Sequence, residues 1–197
     1  MSDRETISAY NHNAEAYADM VEFKGPSAVL LAFIARFDPD SYILDVGCGP
    51  ANSSAVMRDH GLRVDPIDAS QEMVRLANEL HDIGARQADF SEVSRLAVYH
   101  GIWASFSLLH APRQDFADHL RGLRHALIDG GFFFMGMKLG TGSARDRLGR
   151  FYTYYTREEL LDHLGDAGFV PLTIETGEDL GLAGDIEPWI TVTSTTR

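Results

Sequence analysis

Cysteine is all but missing from this 197-residue chain, where Cys48 stands alone. A single thiol excludes an intrachain disulfide and suits a reducing, cytoplasmic setting. Basic residues are scarce too: 17 Lys and Arg face 29 Asp and Glu, for a formal net charge of −12. Such a surface repels phosphate backbones and acidic lipids, so neither nucleic acid nor a membrane is expected as a partner. No apolar run approaches the ~20 residues of a membrane span, and the polar opening Met1–Thr6 lacks the apolar centre of a signal peptide. Gly-x-Ser-x-Gly elbows, Gly-Lys-Ser/Thr phosphate loops and Cys/His metal-ligand spacings are all absent, so no metal site is expected. Without repeats, low-complexity tracts or linkers, residues 1–197 read as a single domain.

What is present begins with Ile43-Leu44-Asp45-Val46-Gly47-Cys48-Gly49-Pro50, a short apolar strand running into a glycine-rich turn. Glycines there let the backbone bend tightly and approach a ligand closely. Asp45, at the strand's end, is expected to aim its carboxylate at the same place, and Cys48 reads as a small filler within the loop. A second strand ends in Asp68-Ala69, nineteen residues beyond Gly49, the distance at which an acid takes ribose hydroxyls in dinucleotide-type folds. A third ends in Asp89-Phe90, an acid beside a ring, fit to accept from an adenine amine and to cover an adenine face.

Strands and helices alternate through the chain. Strands are predicted at 41–46, 62–67, 85–88, 98–105, 131–138, 169–175 and 188–194. Helices are predicted at 51–60, capped by Asn52 or Ser53, and at 70–81, 113–128 and 156–167. This order means an α/β, doubly wound, largely parallel sheet with helices on both faces and its ligand at the strands' carboxyl ends. Pro171 cannot donate within a central ladder and places 169–175 at an edge. Residues 1–37 form a helical N-terminal lid segment: Tyr10, Tyr17 and Phe23 are loosely spaced at helical intervals, Gly25-Pro26 breaks the helix, and an apolar helix follows over 27–37.

The pattern Asp-x-Gly-x-Gly-x-Ala over 45–51, with Asn52 where a nicotinamide motif has Gly or Ala, resembles the class I S-adenosylmethionine (SAM)-dependent methyltransferases. The resemblance runs from about Tyr10 to Val192. It implies a seven-stranded sheet whose last strand inserts antiparallel, with SAM as cofactor and S-adenosylhomocysteine as product. It also implies that the Asp45–Gly49 loop holds the methionine part, Asp68 the ribose, and Asp89 with Phe90 the adenine. Ser105 and Phe106 are expected at the pocket floor, where the resemblance implies backbone contacts to the SAM amine. Tyr10 and Tyr17 resemble the lid of small-molecule methyltransferases.

On the acceptor side, His110 either handles the acceptor's proton or caps a helix, and Tyr17 is the second catalytic candidate. Lys138, Tyr152, Tyr154 and Tyr155 belong to a basic, glycine-rich and aromatic stretch that either covers an anionic or planar acceptor or simply packs a hinge. The expected reaction is in-line methyl transfer to a small molecule by a monomer or homodimer, since a chain of this size leaves no appended domain to grip a protein or tRNA. Two other readings stay open: a non-catalytic SAM-binding module, and a nicotinamide oxidoreductase, which lacks a Tyr-x-x-x-Lys pair here.

Overall fold

The computed structural model describes residues 3–20, 25–93, 97–180, 184 and 186–196; Phe23 lies outside them. The N-terminal segment forms α1 (Arg4–His12), α2 (Ala14–Met20) and α3 (Ala28–Ile34). Strands β1 (Tyr42–Val46), β2 (Arg63–Asp68), β3 (Arg86–Gln87), β4 (Tyr99–Ser105) and β5 (Leu127–Lys138) follow. They are joined by α4 (Asn52–Asp59), α5 (Gln71–His81) and α6 (Arg113–Ala126). After a small hairpin of β6 (Ser143–Arg145) and β7 (Phe151–Thr153), the chain closes with α7 (Arg157–Asp166), β8 (Phe169–Leu180) and β9 (Ile186–Thr196).

The main sheet has seven strands in the order β3-β2-β1-β4-β5-β9-β8. Strands β1 to β5 pair in parallel, while β9 runs antiparallel to both β5 and β8. Pro171 therefore sits on the outer strand, where its missing N–H costs no ladder bond.

Alternation along the strands feeds two cores. Leu44, Ile102, Phe133 and Met135 pack on one face with Phe116, Leu120 and Leu160 of α6 and α7. Ile43, Trp103 and Phe134 pack on the other with Phe33 of α3 and Met57 of α4. Trp103 and Phe134 stack there, with ring centroids 3.8 Å apart. Helix α7 starts at a complete capping box between Thr156 and Glu159, which satisfies two otherwise orphaned N–H groups.

Several boundaries differ from expectation. Helix α4 is capped by neither Asn52 nor Ser53: Ala51 is the N-cap, left-handed at φ 61° and without a side-chain bond. Asn52 is already helical, and its Oδ1 lies 2.9 Å from His81 Nε2. β3 shrinks to two residues because Asp89 leaves the ladder to cap the short turn Phe90–Glu92. The N-terminal helix is two helices, since Asn13 ends α1 by turning its amide back onto Ala9 O. The β6–β7 hairpin lies where a loop was expected, and β8 and β9 reach beyond their predicted ends. No helix among the described residues is long and apolar enough to cross a membrane.

Candidate active site

The glycine turn is held from three sides. The N–H groups of Gly47 and Cys48 both donate to Ile67 O, at 2.8 and 2.9 Å. Gly47 has φ +71°, and a Cβ there would lie 2.4 Å from Ser107 Cβ, so glycine is what lets the turn nest against the segment after β4. Gly49 has φ +54°, and its bare face looks toward the Tyr17 ring, 3.8 Å from where a Cβ would be. Asp68 fixes the turn's orientation: Oδ2 accepts from Gly49 N at 2.9 Å and Oδ1 from Ser70 N at 2.8 Å. Burial raises the Asp68 pKa, opposed by these backbone donors.

Beside this turn lies a cavity with about 630 Å³ of empty volume, its open mouth included. Gly47, Gly49, Asp68 and Ala69 line one side; Phe90, Ser105, Phe106 and His110 line the floor and far wall; Tyr10 and Tyr17 cover it. Phe106 is left-handed, at φ 53°, and 38% exposed. Strain of this kind in a bulky residue costs on the order of 1–3 kcal/mol and gathers at functional sites. The next residue, Ser107, is buried, and its Oγ lacks a partner among the described residues. It is an orphaned polar group beside the cavity it lines.

Other sequence candidates stand back from the cavity wall. Asp45 is 2% exposed and sits beneath the turn, accepting from Ser54 Oγ at 2.7 Å. Burial, with a smaller push from Asp68, raises its pKa to about 7 against the Ser54 hydrogen bond. Cys48 is half-buried against the cluster of Ala51, Ala77 and Ala85, and burial pushes its thiol well up. Asp89 spends one carboxylate oxygen on Ser91 N and Oγ. Tyr155 is fully buried against Phe116 and His163, away from the cavity. Lys138 pairs with Glu187 and lies over the Tyr152 ring, 4.0 Å from its centroid. Tyr152 in turn packs under His110, and Tyr154 stacks beyond it.

The N-terminal cover is locked down by groups beyond its two tyrosines. Asn11 Oδ1 accepts from Ser70 Oγ at 2.7 Å, joining α1 to the start of α5. Asp3 receives both terminal nitrogens of Arg145 at 2.8 Å, and Thr6 Oγ1 accepts from Phe151 N at 2.8 Å. The lid helix and the β6–β7 hairpin are thus one assembly. At its centre, Tyr10 Oη lies 2.9 Å from His110 Nε2, with Arg150 Nη1 3.5 Å from the same oxygen. His110 Nδ1 lies 2.6 Å from Phe151 O. A carbonyl only accepts, so Nδ1 carries the proton and Nε2 accepts from Tyr10. Burial, opposed by the Phe151 carbonyl and reinforced by the Arg150 and Lys138 charges, lowers the His110 pKa to about 4. The imidazole is therefore neutral at pH 7.

A family model for a methyltransferase domain matches residues 43–131, which hold the glycine turn, Asp68, Asp89 and His110. Cypemycin N-terminal methyltransferase from a Streptomyces species is 29% identical over 137 residues, 65% of this chain and 56% of that protein. The structure of 1,6-didemethyltoxoflavin-N1-methyltransferase from Burkholderia thailandensis, with 1,6-didemethyltoxoflavin and S-adenosylhomocysteine bound, superposes with a TM-score of 0.74. It is 20% identical, over 96% of this chain and 84% of the other. The chain has the fold of the class I SAM-dependent methyltransferases, and its residues 43–131 match a methyltransferase domain.

The chain spans about half the length of the curated relatives it matches. The cyclase SpnF also shares its fold, with a TM-score of 0.72, 18% identity and coverage of 96% and 94%. Fold by itself therefore does not state the reaction, and side chains must. Of those that sequence reading missed, Ser107 had a usable signal: it lies two residues after Ser105 just past a strand's carboxyl end. Arg150 and Asp146 belong to the basic stretch already read as a cover, and their opposite charges four apart were the fainter signal that they pair.

Proposed function

We propose that this protein is a SAM-dependent methyltransferase that binds SAM in the cavity beside the glycine turn and passes its methyl group directly, in line, to a small-molecule acceptor. One observation carries the reading: a single cavity at the carboxyl ends of β1, β2 and β4 brings together a bare glycine face, a carboxylate and an aromatic wall. An orphaned serine hydroxyl lines it too. SAM fits that set in kind. Gly49 leaves room for close approach, and Asp68 keeps unused lone pairs for a ribose diol. Phe90 offers a ring for the adenine, and Ser107 Oγ offers a bond to the polar methionine end. Asp45 acts from below, bracing the turn through Ser54.

When bound, the sulfonium supplies an electrophilic methyl group. The protein's part is to hold the two reactants in contact and aligned, worth orders of magnitude in rate, and to keep water out. Tyr10 and Tyr17 form that cover, edge to face with ring centroids 5.4 Å apart. Calorimetric titration with SAM, S-adenosylhomocysteine and NADH tests the reading. Micromolar binding of the two adenosyl ligands alone is expected. Binding of NADH, or of none of them, refutes it; tight SAM binding without turnover on any acceptor favours a non-catalytic SAM module.

A further inference from the structure

Three of the four bases over 138–150 are matched by carboxylates, and the fourth, Arg147, is exposed and does not line the cavity. Lys138 pairs with Glu187, Arg145 with Asp3 and Glu5, and Arg150 with Asp146 through Nε and Nη2 at 2.9 and 2.6 Å. An anionic acceptor would have to compete for cations already matched by carboxylates. Meanwhile one hydrogen-bonded chain reaches the cavity without a net charge: Arg150 donates to Tyr10 Oη, and Tyr10 donates to His110 Nε2. His110 in turn donates from Nδ1 to Phe151 O. Each member has its direction fixed by a partner that can act only one way, the guanidinium as donor and the carbonyl as acceptor. Tyr10 and His110 both line the cavity, and the tyrosine oxygen retains a lone pair.

Resting on the methyltransferase reading above, we propose that the acceptor is an uncharged molecule with an O–H or N–H at the reacting atom, and that its proton leaves through Tyr10 to His110. The acceptor's lone pair forms the bond to the methyl carbon as the carbon–sulfur bond breaks, its electrons staying on sulfur. The acceptor's proton goes to Tyr10 Oη while the phenolic proton goes to His110 Nε2. One positive charge disappears at sulfur as one appears on imidazole, so the buried site keeps its total charge. The groups facing this pair are Tyr17 from α2, Lys138 from β5, Asp146, Arg150 and Tyr152 from the hairpin region, and Asp68 from β2. With the Lys138 and Arg150 charges disfavouring it, the imidazolium is short-lived: its Nε2 proton passes to Tyr10 Oη as the phenolic proton passes to water in the emptied cavity, which resets the chain. Burial keeps Tyr10 a phenol throughout ordinary pH. Tyr10 is thus the group that meets the acceptor, and Arg150 a positioning residue.

The test uses the whole chain with Tyr10→Phe, which keeps the ring, and His110→Gln. Calorimetry with SAM comes first, because failure to bind it removes the methyltransferase reading itself. Imidazole ¹⁵N NMR then reads the chain without turnover: Tyr10→Phe should shift His110 Nε2 and leave the Nδ1–H tautomer in place. Finally, S-adenosylhomocysteine release is followed on uncharged phenols and N–H heteroaromatics, on their carboxylate-bearing analogues, and on pyridines and thioethers, which have no proton to lose. Turnover confined to the first group is expected, with kcat reduced roughly a hundredfold by Tyr10→Phe and KM little changed. Equal turnover of the proton-free or anionic groups, no turnover of any group by SAM-binding protein, or full kcat in Tyr10→Phe overturns the proposal.

Discussion

Replacing Asp68 by alanine removes two hydrogen bonds before any ligand arrives. Its carboxylate holds Gly49 N and Ser70 N at 2.9 and 2.8 Å, and hydrogen bonds to charged groups are worth roughly 1.5–3 kcal/mol each. Burial of the carboxylate offsets part of that gain, as its raised pKa records. A net loss of about 2–4 kcal/mol in unfolding free energy follows, readable by urea titration. The ligand effect is separate. If Asp68 takes the ribose diol, SAM affinity falls by a further ~1.5–3 kcal/mol, roughly ten- to a hundredfold or more. A loosened turn would weaken binding too, so the ligand must be varied alongside the protein. The 2′-deoxy analogue of S-adenosylhomocysteine should bind wild type more weakly than the parent compound, yet lose little more on Asp68→Ala. Equal losses for both ligands, or a folded variant with wild-type affinity, would remove Asp68 from the ribose site.

Three further outcomes are expected. Asp45 holds its proton up to about pH 7 when folded but only to 3.8 when unfolded, so over that window the folded state binds more protons and stability falls as pH rises. The slope is roughly 1.4 kcal/mol per pH unit at most. Asp45→Asn should flatten it, and parallel stability–pH curves for the two proteins would refute the assignment. His110 behaves oppositely: its folded pKa of about 4 lies below the ordinary 6.5, so its contribution to stability rises with pH between those values. NMR titration should find it as the Nδ1–H tautomer, neutral down to about pH 4, and a midpoint near 6.5 would contradict its burial. Gly47→Ala combines left-handed strain of about 1–2 kcal/mol with overpacking of about 1–3 kcal/mol against Ser107. A loss below 1 kcal/mol on chemical denaturation would show that the turn relaxes freely.

Sequence by itself determined the sheet and the strand-end residues that line its cavity. Those features are local: a strand's apolar run, the glycines after it and the acids ending the next strands sit within a few residues of one another. Their periodicity or turn chemistry is written in consecutive letters. Even Pro171 announced its edge, since a missing N–H has the same meaning in any context. What tertiary structure decided are contacts between distant segments. Nothing in the sequence joins Tyr10 to His110, Thr6 to Phe151 or Asp3 to Arg145, pairs separated by 100, 145 and 142 positions. Burial decided the rest. It turned Asp45 from a pocket carboxylate into a buried brace with a raised pKa, and it brought Tyr155 into the core. Three of the four bases of 138–150, a cationic cover in one dimension, found their carboxylates in three. A charge written in sequence has a sign, but its partner and its solvent are chosen only when the chain folds.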